Sequence, residues 1–162
     1  MTKQRILGID PGLVKMGWGI IELDNHKITH IANNVIKPPI KTSLAQRLVY
    51  LAQNLDEIIE TYQPHKAAIE KTFVNKDGVA TLKLGQARGI ALYCPAVKNI
   101  PVYEYAPNTV KKAVVGKGHA DKLQVQHMLK MMLPKVELHN ADSADALAIA
   151  ITAAYYSGDI PE

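Results

Sequence analysis

The sequence is poor in cysteine and in long uncharged runs, and each shortage excludes a class of protein. A single cysteine, Cys94, excludes an internal disulfide framework and indicates a reducing compartment. The longest uncharged run, residues 146–158, is shorter than the roughly 20 residues that a membrane-crossing helix needs. The polar residues 1–5 lead directly into a strand-like run, so we expect no signal peptide. These shortages predict a soluble, cytoplasmic protein.

The sequence also lacks internal repeats and Gly/Ser-, Gln/Asn- or Pro-rich tracts, so nothing in it indicates a linker. Its 162 residues, 48% apolar and 21% charged, have an ordinary globular composition. We therefore expect a single domain that covers residues 1–162.

Positive charge is concentrated in one part of the chain, although the net charge of the whole is only +4. Between residues 111 and 135 there is one acid, Asp121, and six lysines: Lys111, Lys112, Lys117, Lys122, Lys130 and Lys135. Such a segment would attract a phosphate backbone in a salt-dependent manner. A solvated helix face is an equally good interpretation of the same residues.

Short apolar runs and periodic stripes predict a mixed sheet covered by helices. Three closely spaced strands, at 5–10, 17–22 and 27–36, favour an antiparallel meander, and two more are expected at 66–70 and 101–105. One helix is expected between Ser43 and Pro64, with Ser43 and Gln46 forming a capping box at its start. A second is expected over 81–93. Further helices should begin at Pro107, after Asp121 and after Asn140. The pattern predicts an α/β protein with a mixed five-stranded sheet, three strands antiparallel and two parallel, flanked by α-helices.

Four acids occupy places where a solvated surface acid is not expected. Asp10 and Glu70 each end an apolar strand, and Asp142 and Asp145 share one face of a helix that is otherwise almost entirely apolar. Buried carboxylates at close range repel one another, so a cluster of four requires cations. Oxygen ligands of this kind suit Mg²⁺ or Mn²⁺, and two such ions can promote phosphodiester hydrolysis.

Each acid also has a structural interpretation when it is taken alone. An Asp before Pro-Gly is typical of a tight turn, and an Asp pair at a helix start is typical of capping and dipole compensation. The joint occurrence of all four acids favours a metal site.

Several motifs, in the same order along essentially the whole chain, resemble the bacterial Holliday-junction resolvase family RuvC. The segments that carry the resemblance are Ile6–Gly12 (ILGIDPG), Ala68–Glu70 (AIE), Leu82–Gly89 (LKLGQARG), Val114–Gly116 (VVG), Gln124–His127 (QVQH) and Asp142–Ala150 (DSADALAIA). The resemblance implies a ribonuclease-H-like fold, a homodimer and paired symmetric nicks in four-way DNA junctions. It also implies coupling to a branch-migration complex, RuvA–RuvB.

The same resemblance assigns roles to individual residues. It places the four metal-binding, catalytic carboxylates at Asp10, Glu70, Asp142 and Asp145, with two Mg²⁺ ions that Mn²⁺ can replace. Phe73 matches an aromatic residue that stacks on bases near the junction centre, whereas an isolated Phe would be expected in the core. Three basic residues, Lys111, Lys122 and Arg88, match family positions near the DNA, and the Arg88 position is also compatible with a structural role.

The chain departs from the family pattern in two places. The loop after Phe73 has Asp77 and Ala80 where relatives tend to have Asn and Ser, which affects its DNA contacts. Cys94-Pro95 interrupts a helix that resembles the family's dimer interface, so we expect this helix to end early or to kink.

Two other functions are compatible with parts of the sequence. A branched-DNA binding module that does not cut would use the basic segment and Phe73, but it would leave four inward acids without a purpose. An actin-like ATPase usually needs two such domains, and Gly116-Lys-Gly118 lacks the spacing of a P-loop. The favoured prediction is a Mg²⁺-dependent endodeoxyribonuclease that resolves four-way junctions.

Overall fold

The structure is a computed structural model that describes residues 3–156 and 158–161. Residues 1, 2 and 162, which bound the predicted domain, lie outside that range, as does Ser157. The strands are β1 (Gln4–Asp10), β2 (Met16–Asp24), β3 (Lys27–Ile36), β4 (Lys66–Glu70) and β5 (Val102–Tyr105). The helices are α1 (Leu44–Tyr62), α2 (Gly78–Ala96), α3 (Pro107–Val115), α4 (Lys122–Met132) and α5 (Ala141–Tyr155). None of these helices has the length and apolarity that crossing a membrane requires.

The five strands form one mixed sheet in the order β3-β2-β1-β4-β5. The first three strands pair antiparallel, while β4 pairs parallel to β1 and β5 pairs parallel to β4. The α/β class and the predicted mixture of antiparallel and parallel pairs are therefore confirmed. In the parallel register Ile9 of β1 lies opposite Ile69 of β4, so the two strands end side by side.

The sheet separates two hydrophobic cores, because successive side chains of a strand point to opposite faces. Ile6 of β1 and Ala68 of β4 pack with α3, α4 and α5 on one face. Leu7 and Ile9 of β1, with Ile69 of β4, pack with α1 and α2 on the other. Odd and even positions of a strand therefore pack against different helices.

Helix α5 lies directly on β1 and β2, and glycines in the strands allow its backbone to approach theirs. A Cβ atom at Gly8 would overlap the backbone oxygen of Ala146, and one at Gly17 would overlap the backbone oxygen of Asp142. Most of α5 is buried, from Ser143 to Ala153, which explains why its sequence is almost entirely apolar. The first turn of α5 is thereby fixed against the beginning of β2.

The predicted starts of α1, α3, α4 and α5 are confirmed, whereas both predicted ends of α2 are wrong. Ser43 and Asn140 cap α1 and α5 through their side chains, and Pro107 occupies the first turn of α3. Helix α2 is longer than predicted at both ends, beginning after an Asp77 cap and continuing through Pro95 to Ala96. Pro95 lies in the last turn, where its missing N–H removes a single helical hydrogen bond, so the helix tolerates it.

Candidate active site

Asp10 and Glu70 lie next to each other at the ends of two parallel strands. Gly8 faces α5, and Asp10 lies two residues further along β1, so its side chain points to the same face of the sheet. The same argument applies to Glu70, which lies two residues after Ala68 in β4. Both carboxylates are therefore directed toward α5 at the sheet edge where β1 and β4 end.

The other two predicted acids come from the first turns of α5. Asn140 caps this helix by accepting a hydrogen bond from the backbone N–H of Ser143 at 2.8 Å. Asp142 lies in the first turn and Asp145 follows three residues later, so the two side chains share one face of the helix. Because α5 begins beside the start of β2, both acids approach Asp10.

The electrostatics of Asp10 show that the four carboxylates act on one another. Burial, followed by the negative charges of Asp145, Asp142 and Glu70 and a hydrogen bond with Asp142, raises the pKa of Asp10 to about 8. Burial also raises the pKa values of Glu70 and Asp145, and Asp145 adds to the effect at Glu70. A carboxyl group with this pKa is mostly protonated at neutral pH, and a bound divalent cation would favour its charged form.

Two of the predicted lysines face the acids across a cleft. The cleft has a volume of about 480 Å³, and its lining includes Asp10, Glu70, Asp145, Lys111 and Lys122. The charge of Lys111 opposes the rise in the pKa of Glu70, and that of Lys122 opposes the rise at Asp145. Lys111 comes from α3 and Lys122 from the first turn of α4, so these two helices bring positive charge to the same cleft as the acids.

The donor set suits a hard divalent cation. Carboxylate oxygens are the protein ligands that Mg²⁺ and Mn²⁺ prefer, and a cation among them would relieve the repulsion that raises the pKa of Asp10. Within residues 3–156 and 158–161, however, no three acid, histidine or cysteine side chains are arranged to hold one ion as they stand. The residues fit the ion in their chemistry, and its binding requires the side chains to adjust.

Phe73 is exposed on the loop between β4 and α2. Its side chain is 68% exposed, so it is not the core residue that an isolated Phe would be expected to be. Hydrogen bonds tie the loop to the start of α2, because Asn75 Oδ1 accepts from Asp77 N and from Thr81 Oγ1, both at 2.9 Å. Asp77, one of the departures from the family pattern, also caps α2.

Arg88 has partners inside the protein. Its Nη1 donates a hydrogen bond to the backbone oxygen of Glu70 at 3.0 Å, and its Nη2 is paired with the Glu104 carboxylate. Only 16% of the Arg88 side chain and 15% of the Glu104 side chain are exposed. These contacts join α2 and β5 to the end of β4 that carries Glu70, which is the structural role that the sequence left open.

One residue beside the acids was not predicted. Lys15, in the turn between β1 and β2, has its Nζ atom 2.9 Å from Asp142 Oδ2. The only sequence signal for it is its place just after Asp10-Pro-Gly, at the end of the turn that begins with a predicted ligand.

Known proteins share the sequence and the fold of this chain. The family model described as crossover junction endodeoxyribonuclease RuvC matches residues 6–153. A protein of that name from Bradyrhizobium sp. is 56% identical over 152 residues, covering 94% of this chain and 87% of the relative. One from Rhizobium johnstonii is 54% identical over 154 residues, covering 95% and 91%. The structure of T. thermophilus RuvC in complex with Holliday junction substrate superposes with a TM-score of 0.87 and 31% identity, covering 94% of both chains.

Proposed function

The chain belongs to the crossover junction endodeoxyribonuclease RuvC family, and on that premise we propose how its acidic cluster cuts DNA. It is a Holliday-junction resolvase with a ribonuclease-H-like fold. The observation that carries the proposal is the meeting of Asp10 and Glu70, from adjacent strands, with Asp142 and Asp145 of α5. We propose that these four are the catalytic and metal-binding residues, within a nuclease domain that spans the whole chain.

Members of this family are divalent-metal nucleases, and we propose Mg²⁺, two ions in each site, with Mn²⁺ as a substitute. Ions held by the four carboxylates would activate the attacking water and stabilise the leaving oxygen of the phosphodiester. The carboxylates themselves orient the reacting groups, because the strand ends and the first turns of α5 are fixed against one another. Arg88 contributes by holding the backbone of Glu70.

The opposite wall of the cleft is proposed to bind the DNA. Lys111 and Lys122 face the acids there, so a phosphate that enters the cleft meets two ammonium groups which offset its developing charge. Phe73 is exposed on a supported loop beyond Glu70, where it can stack on a base that has left its pair at an opened crossover. Such stacking stabilises a base by roughly 1–3 kcal/mol.

A cleavage assay with matched substrates tests the proposal. A labelled synthetic four-way junction and a linear duplex of the same sequence are incubated with Mg²⁺ or with EDTA. We expect symmetric nicks in the junction only, abolished by EDTA and by Asp142→Asn, because that substitution removes one ligand charge. Asp24→Asn, which makes the same chemical change at the partly exposed far end of β2, serves as the control and should cut like the wild type.

Each alternative result has a distinct meaning. Tight junction binding without cleavage would favour the non-cleaving branched-DNA binding module. Equal cutting of the linear duplex would contradict junction selectivity. Cleavage by purified Asp142→Asn at the wild-type rate would exclude that carboxylate from the mechanism.

We further propose a homodimer formed through α2. This helix and its C-cap residue expose an apolar stripe at steps of three and four residues, in which two glycines separate larger side chains: Leu82, Gly85, Gly89, Tyr93 and Val97. A Cβ atom at Gly85 or Gly89 would meet nothing within 4 Å, so these positions leave room for a close partner. The partner that suits a resolvase is a second copy, because paired nicks need two active sites.

Two further assignments rest on the family alone. We propose that the resolvase acts in the bacterial cytoplasm, where chromosomal junctions lie. We also propose that it works with the branch-migration complex RuvA–RuvB. Co-purification of the three proteins on a synthetic junction would test that association.

A further inference from the structure

Lys15 makes a direct ion pair with a member of the acidic cluster. Among the ion pairs of the described residues, Lys15 with Asp142 is the one pair that includes a candidate metal ligand. Lys15 Nζ lies 2.9 Å from Asp142 Oδ2, and the two side chains are 47% and 25% exposed. Asp142 therefore already has a cation in contact with one of the oxygens that a metal ion would use.

The turn that carries Lys15 is held in place from two sides. A Cβ atom at Gly12 would overlap the backbone oxygen of Lys15, so only glycine permits this tight return of the chain. From α1, Arg47 Nη1 donates a hydrogen bond to the backbone oxygen of Leu13 at 2.9 Å. The backbone that carries Lys15 is therefore fixed by the fold, and its side chain reaches Asp142 from that position.

The approach of β2 to α5 brings the two partners together. Gly17 packs against the backbone of Asp142, and Lys15 lies just two residues before it. The first turn of α5 and the start of β2 are thus in contact through their backbones, and the ion pair lies beside that contact.

We propose that Lys15 is a positioning residue that holds the Asp142 carboxylate in the metal-free protein and leaves it when a divalent cation binds. This inference rests on the proposed metal site. An ammonium group and a divalent cation repel each other at contact distance, so both cannot occupy the same carboxylate oxygen. Lys15 consequently lowers the affinity of the cluster for the ion, and it keeps Asp142 near its working position until the ion arrives.

Calorimetric titration with Mn²⁺, without DNA, measures this competition directly. We expect Lys15→Met to bind Mn²⁺ about two- to fivefold more tightly than the wild type, a factor that matches the worth of a partly exposed ion pair. Lys15→Arg keeps the cation and should stay within about twofold of the wild type. The control is Lys3→Met, which removes a lysine paired with Glu22 at the far end of β2 and should leave the Mn²⁺ affinity unchanged.

The outcomes separate the role of Lys15 from the metal site. Loss of Mn²⁺ binding in Asp10→Asn, together with unchanged or weaker binding in Lys15→Met, would overturn the inference and leave the metal site intact. Absence of Mn²⁺ binding by the wild type would overturn both. Tighter binding by Lys15→Arg, equal to that of Lys15→Met, would also contradict the competition.

A second measurement follows Lys15 itself. In protein labelled with ¹³C at the lysine ε carbon, the Lys15 resonance is identified by its absence from the Lys15→Arg spectrum. Addition of Mg²⁺ should shift this resonance while that of Lys3 stays in place. A Lys15 resonance that does not respond at saturating Mg²⁺ would show that the side chain does not leave Asp142.

Discussion

At the scale of single residues, the acidic cluster depends on strand parity. Asp10 points to the face of α5 because it lies an even number of residues after Ile6, which is buried there. A shift of one residue in β1 would turn the carboxylate toward Leu7 and Ile9, into the apolar core beneath α1 and α2. An unpaired charge in such a core is strongly unfavourable, so the register that buries the apolar side chains also builds the site.

A second group of polar residues, between β3 and the segment that precedes α5, is expected to make stability depend on pH. Asn33 is buried, and its Nδ2 donates hydrogen bonds to His30 Nε2 and to the backbone oxygen of Glu137, both at 2.9 Å. Burial, and then the nearby His139, lowers the pKa of His30 below its usual value of 6.5. A neutral His30 accepts the bond from Asn33, whereas a protonated one cannot.

We expect the contribution of His30 to stability to be lost in mild acid. Because its pKa is lower in the folded state, the unfolded chain binds more protons as the pH falls below about 6.5. That contribution is complete above pH 6.5 and declines as the pH falls toward the lowered pKa of His30 in the folded protein. The free energy of unfolding in urea should therefore fall more steeply between pH 7.5 and 5.5 in the wild type than in His30→Gln.

The difference in unfolding free energy between the wild type and His30→Gln separates the effect of His30 from that of the acidic cluster. The raised pKa of Asp10 acts in the opposite direction, because it favours the folded state at low pH, but it is present in both proteins and cancels in the difference. A difference in unfolding free energy that does not vary with pH would contradict the role assigned to His30.

At the scale of elements, the contact of α5 with β1 and β2 positions half of the acids. This contact depends on the absence of side chains at Gly8 and Gly17, where backbone meets backbone. Gly8→Ala would force Ala146 and the helix away from the sheet. We expect a loss of at least about 2 kcal/mol in the free energy of unfolding, since overpacking of a rigid core typically costs 1–3 kcal/mol.

Chemical denaturation with a glycine control tests this expectation. Gly78→Ala, in the first turn of α2, adds the same methyl group where nothing lies within 4 Å, and should change stability by less than about 1 kcal/mol. If Gly8→Ala were as stable as Gly78→Ala, α5 would not be held by this close approach.

The elements that the sequence predicted best are those determined by local signals. Caps and periodic stripes located the helix starts at Ser43, Pro107 and Asn140, and the four acids were singled out from their places at strand and helix ends. The end of α2 was not predicted correctly, because a proline in a last turn costs little and local rules place the break too early. The direct contact of Lys15 with Asp142 depends on two elements that are distant in sequence and has no local signature.

At the scale of the whole molecule, the cleft and the apolar stripe of α2 serve different purposes. In the proposed mechanism the acids and lysines around the cleft act on a single strand, and the net charge of +4 suits a polyanionic substrate. Symmetric cutting of a four-way junction needs two clefts in a fixed relation. A two-fold dimer supplies that relation, because the same surface of each copy meets the other.

Disruption of the α2 stripe should therefore separate oligomeric state from the chemistry of the single site. Leu82 is 64% exposed on α2, and Leu82→Arg would place two charges against each other in a two-fold interface. We expect this variant to sediment as a monomer at concentrations where the wild type is a dimer, and to lose paired nicking of the junction. Val49→Arg, at a 52% exposed position on α1, adds the same charge outside the stripe and should sediment and cut as the wild type does.

A Leu82→Arg protein that remained dimeric would place the interface elsewhere. A Mn²⁺ affinity equal to that of the wild type, measured by calorimetry on the monomeric variant, would show that each acidic cluster is complete within one chain.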